Sequence, residues 1–116
     1  MLIYKIFRPA EWDSLASAGT TTGAPIDVSD GFIHFSTAEQ VRATAALHFA
    51  QAGDLVLAAV EADALGQDLK WEASRDGALF PHLFRELRLD DVVWHVPLPQ
   101  VGRAHEFPAM LDGDDA

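Results

Sequence analysis

Residues 2–7 (Leu-Ile-Tyr-Lys-Ile-Phe) are β-branched, aromatic and aliphatic, with Lys5 the one polar interruption, and they predict a strand. Pro9 suits the first turn of a helix; Trp12, Leu15 and Ala16 fall at i, i+3 and i+4, and Gly19 supplies a stop. Residues 20–31 are rich in turn formers and read as a long loop, a feature often tied to function in a small domain. A short strand, Phe32–Ser36, then runs into two overlapping capping patterns, Ser36-Thr-Ala-Glu39 and Thr37-Ala-Glu-Gln40. They predict a helix from about Ala38 to Ala52, with Val41, Ala45, His48 and Phe49 on one face and Gly53 after it.

The second half reads as strands. Asp54–Glu61 is apolar without alternation, as expected of a strand buried on both faces. Residues 63–68 make a turn, Leu69–Ser74 a strand, Arg75–Gly77 a turn and Phe80–Phe84 a short extended piece; Val92–Pro97 is the last strand. Five or six strands with two helices, both in the N-terminal half, predict an α+β fold rather than a doubly wound sheet.

Length changes this picture little: 116 residues suit one domain, placed at 1–102, with an acidic tail at 103–116 ending Asp112-Gly-Asp-Asp-Ala116. The absence of cysteine excludes disulfides, thiol catalysis and thiolate metal sites. A formal net charge of −10 argues against nucleic acid and anionic membranes as partners. The longest apolar run, Leu55–Val60, is far short of the ~20 residues of a membrane span, and the first residues do not resemble a signal peptide, so the expected location is the cytoplasm.

Three places could carry chemistry. On the strand Phe32–Ser36 the pleat puts His34 and Ser36 on one face, beside the free N–H groups of a helix start, a natural place for an anion. The plainer alternative is a capping Ser36 or Thr37 and a His34 bonded to a backbone carbonyl. Glu72 shares a strand face with Lys70 and Ser74; it is either a general base or ribose ligand, or a surface ion-pair partner of Lys70 or Arg75. Pro81 stiffens Phe80-Pro-His-Leu-Phe84, so His82 is either a well-placed acid or base or a partly buried strand histidine. Dinucleotide and P-loop glycine patterns, the HExxH zinc motif and a nucleophile elbow are all missing, and no metal is expected.

Taken in order, Ile3-Tyr-Lys-Ile6, Trp12, Asp30-Gly-Phe-Ile-His-Phe-Ser-Thr37, Asp54-Leu-Val-Leu57, Leu69-Lys-Trp-Glu72 and Phe80-Pro-His-Leu83 resemble the signature segments of a bacterial family, domain of unknown function 952, over residues 2–98. That family is similar in fold to ADP-ribosyltransferases and RNA 2′-phosphotransferases. The resemblance implies two small mixed or antiparallel sheets around a cleft for NAD or an ADP-ribose-like nucleotide. It implies His34, Glu72 and His82 as catalytic residues, and Lys5, Ser36, Thr37 and Trp71 as ligand-binding ones. Lys5 stands where those transferases carry a histidine, and arginines are few. The readings carried forward are a transferase acting on ribose or phosphate, a binding module that kept the cleft without the chemistry, and a protein-interaction domain with an exposed Trp12, Trp71 or Trp94 patch.

Overall fold

The computed structural model describes residues 1–74 and 77–112. Strand β1 (Leu2–Phe7) lies antiparallel to β4 (Leu55–Glu61), which pairs on its other side with β8 (Val92–Leu98). Both faces of this sheet are covered. Ile3 and Phe7 of β1 join Ala58 and Val60 of β4 in one apolar cluster, completed by Leu15 of helix α1 (Pro9–Ala18). Tyr4 and Ile6 join Leu57 and Ala59 in the other, completed by Val41 and Ala45 of helix α3 (Val41–His48). A strand that meets apolar layers on both sides has no polar face to show, which is why residues 54–61 lack alternation.

A second three-stranded sheet has the order β3 (Ile33–His34), β6 (Leu79–Leu83), β5 (Leu69–Ala73), all antiparallel. Two-stranded ladders join β2 (Thr20–Thr21) to β7 (Leu87–Arg88), and β9 (Gln100–Val101) to β10 (Ala104–His105). The two larger sheets touch through reciprocal backbone bonds between Tyr4 and Ser36, at 2.8 and 2.9 Å. This bridge sets Lys5 of the first sheet beside His34 of the second.

The α+β class holds, but the helix count differs from the sequence expectation. Residues 20–31 are not all loop: they contain α2 (Pro25–Asp30), and residues 62–65 form a further turn of helix, α4 (Ala62–Leu65). The signals for α2 were local, with Pro25 in its first turn, Asp27 accepting the Ala24 N–H at 2.7 Å, and Gly31 as a left-handed cap at φ 86.

Helix α3 is shorter than residues 38–52. The Gln40 side chain accepts the Thr37 N–H at 3.0 Å, and Thr37 O accepts from both Gln40 and Val41, so residues 37–40 close as a turn before the helix begins. Strand β3 is shorter than residues 32–36. Opposite Phe35 stands Pro81, which accepts the Phe35 N–H at 3.0 Å but has no N–H to return.

Residues assigned to a tail also pack. His105 Nε2 donates to Gly53 O at 2.8 Å, and Leu111 is buried in the second apolar cluster. Residues 113–116, like Arg75 and Asp76, lie outside the described residues. No helix among the described residues is long and apolar enough to cross a membrane.

Candidate functional site

The register of the second sheet builds the site. His34 of β3 is directly opposite His82 of β6, and His82 is opposite Lys70 of β5, so the three side chains form a row across one face. Glu72, two residues beyond Lys70, shares that face and reaches His82, with Oε1 2.7 Å from Nδ1. Phe32 lies over the row. Its ring stacks on His82 at 4.1 Å and 23°, and stands 4.7 Å from His34 and 5.2 Å from Phe84. The two imidazoles are 5.3 Å apart between ring centres.

Beneath His34 is a group the sequence reading did not single out. Asp27 is 1% exposed, and an isolated buried carboxylate would carry a large desolvation penalty. Its Oδ1 accepts from His34 Nδ1 at 2.6 Å and from the His34 N–H at 3.1 Å. Its Oδ2 accepts from the Ala24 N–H at 2.7 Å and meets Lys5 Nζ at 3.0 Å. Burial alone would raise the Asp27 pKa; the His34 hydrogen bond, the Lys5 ammonium and the Ala24 N–H together outweigh it and hold the carboxyl at about 2. An ionised carboxylate only accepts, so His34 donates through Nδ1 and turns Nε2 outward. There Asp30, at the end of α2, places Oδ2 3.1 Å from Nε2.

The loop before α2 is shaped for this carboxylate. Gly23 has φ +98, and a Cβ there would sit 2.2 Å from Asp27 Oδ2. Only glycine permits both that backbone and that approach.

The structure therefore brings together four of the seven residues singled out: Lys5, His34, Glu72 and His82. Lys5 has a different part from the expected phosphate ligand, because its ammonium is buried against Asp27 and the His34 carbonyl. Ser36 and Thr37 do not form an open anion cradle. Ser36 Oγ bonds Thr44 Oγ1 at 3.0 Å, and the Thr37 N–H is taken by Gln40. Trp71 projects from the opposite face of β5 to Glu72, since it pairs with Pro81 while Glu72 pairs with Phe80. The residues missed were Asp27, Asp30 and Phe32. Asp27 is the third residue of a Pro-initiated turn, Asp30 is four before His34, and Phe32 is two before it.

Two surface grooves lie elsewhere. One of about 260 Å³ is lined by residues including Arg42, Arg103, His105 and Phe107, and one of about 330 Å³ by residues including Tyr4, Trp94 and Leu111. Neither is lined by a carboxylate–imidazole pair. Among the described residues no group of three His, Cys, Asp or Glu side chains is placed to hold a metal ion.

The fold and site define a small α+β domain with two carboxylate-bound histidines on one sheet face. The chain belongs to the family described as Protein of unknown function (DUF952), whose profile matches residues 6–95. It is similar to protein CC0527 of Caulobacter crescentus. A crystal structure of that protein is 46% identical, with a TM-score of 0.92 over 97% of this chain and 99% of that one. Its solution structure is 47% identical, with a TM-score of 0.81 over 97% and 95% of the two chains. No curated protein matches the chain. These matches lend no support to the expected relation with ADP-ribosyltransferases or RNA 2′-phosphotransferases.

Proposed function

We propose that the face carrying His34 and His82 is a proton-transfer site acting on a small ribose- or phosphate-bearing molecule of the nucleotide class. The observation that supports this reading is the pair of carboxylate–imidazole contacts, Asp27 with His34 and Glu72 with His82, in register on neighbouring strands. A carboxylate at Nδ1 fixes the tautomer, orients the ring and stabilises the imidazolium formed when Nε2 takes a proton. With two such rings side by side, one removes the proton of an attacking hydroxyl and the other protonates the departing oxygen. Phe32 and Phe84 offer aromatic surface beside the pair, suited to a base. NAD and ADP-ribose are the first ligands to try.

A second reading is favoured by one observation. His82 is 5% exposed beneath Phe32, which suits a binding module without turnover. Titration with NAD, ADP-ribose and a 2′-phosphorylated dinucleotide, followed by NMR at the histidine rings, tests the site. Phosphorus NMR of the same samples reports turnover. The proton-transfer reading expects saturable shifts at His34 and His82, little change at Trp71, and product that disappears in His34→Asn and His82→Asn. Shifts without product select the binding module. No shift with millimolar ligand refutes both.

A further inference from the structure

Asp30 ends α2, immediately before the left-handed cap Gly31. That is the negative end of the helix, where a carboxylate is disfavoured. Its compensation is His34, whose Nε2 is 3.1 Å from Asp30 Oδ2. The two carboxylates on this ring differ in kind. The Asp27 side chain is 0% exposed and tied to Lys5, whereas Asp30 is 40% exposed and His34 itself 34%. One is built into the fold; the other sits at the surface, where ion pairs are weak and exchangeable.

We propose that His34 Nε2 is a position for a phosphate oxygen of the ligand, and that Asp30 is an internal competitor which occupies this position until the ligand displaces it. The inference rests on the proton-transfer reading of the same face and adds where the anion goes. Lys5, Ser36 and the Thr37 N–H, the expected phosphate groups, are engaged internally, whereas His34 Nε2 faces the surface and donates there when the ring is an imidazolium. Once Asp30 turns away, the buried charges beside His34 offset each other, Lys5 against Asp27 at 3.0 Å, and Lys70 stands on the same face. An incoming oxyanion then meets no net repulsion. Asp30 holds the ring in place meanwhile and sets a threshold that only a better acceptor passes.

Asp30→Asn removes the charge and keeps the shape, and Asp30→Ala removes the side chain. The wild type and both variants are titrated with inorganic phosphate and, separately, with ADP-ribose, following the His34 ring by NMR. Both variants are expected to bind phosphate at His34 about two- to fivefold more tightly than the wild type. ADP-ribose gains similarly if its phosphate is the group recognised. Equal phosphate affinity in the three proteins, or no binding in any, overturns the proposal. Wild-type ADP-ribose binding that the substitutions leave unchanged also overturns it, yet leaves the proton-transfer reading standing. A phosphate gain without any nucleotide binding supports the competitor and counts against a nucleotide substrate.

Discussion

Replacing Asp27 by Asn tests the foundation of the site. The substitution keeps the shape and removes the charge between Lys5 and His34. Two effects bear on its size. A carboxyl whose pKa falls from 3.8 to about 2 on folding contributes about 2 kcal/mol at neutral pH. Removing it also leaves the ammonium of the Lys5 side chain, which is 8% exposed, without its counter-charge, and breaking a buried pair in this way typically costs about 3–5 kcal/mol. The second figure governs, because it includes the stranded partner. Asp27→Asn is therefore expected to lose about 3 kcal/mol in urea unfolding at pH 7. The double variant Lys5→Met with Asp27→Asn should recover part of that loss. The pH dependence has a definite sign. Since folding lowers the Asp27 pKa, its contribution is complete above about pH 4 and disappears as pH falls through about 2. The wild type should thus lose more stability than the variant over that interval. A variant within about 0.5 kcal/mol of wild type at pH 7, with a parallel acid profile, would refute the reasoning.

Gly23→Ala should destabilise by about 2 kcal/mol or more in the same unfolding assay, because its φ is +98 and the new methyl would fall 2.2 Å from Asp27 Oδ2. Glu72→Gln should leave the fold intact and change the tautomer balance of the His82 ring seen by NMR, since its Oε1 is the group holding Nδ1. Arg85→Ala should cost about 1–2 kcal/mol in thermal or urea unfolding, because it removes both hydrogen bonds to Asp91, at 2.9 and 3.2 Å, from a largely covered pair. Trp71→Ala should leave the His34 and His82 ring signals in place, as Trp71 projects from the other face of β5.

The sequence carried the local half of this architecture. The β1 and β4 strands were legible because every side chain of an internal sheet must be apolar or paired, and α1 because Pro9 and Gly19 bracket it. His34 and His82 stood out as imidazoles on extended segments. That they face each other was not legible, because register between β3 and β6 depends on strands far apart in the chain. Lys5 looked like an interruption of a strand or a phosphate ligand; its partner, Asp27, lay in what read as loop. The Pro25-Ile-Asp27 start and the Gly31 stop were signals enough for α2, had the turn-former content of residues 20–31 not outweighed them. Ser36 and Thr37 were assigned to an anion site on the premise of a helix with open N–H groups. The Gln40 side chain removes that premise by taking one of them.

The central claim is that carboxylates hold both histidines through Nδ1, Asp27 at His34 and Glu72 at His82. Long-range proton–nitrogen NMR of the histidine rings at about pH 8.5, where a free imidazole is neutral, tests it most directly. The expected result is a protonated Nδ1 in both His34 and His82, with that preference lost at His34 in Asp27→Asn and at His82 in Glu72→Gln. Rings protonated at Nε2, or averaging freely between tautomers in the wild type, would contradict it.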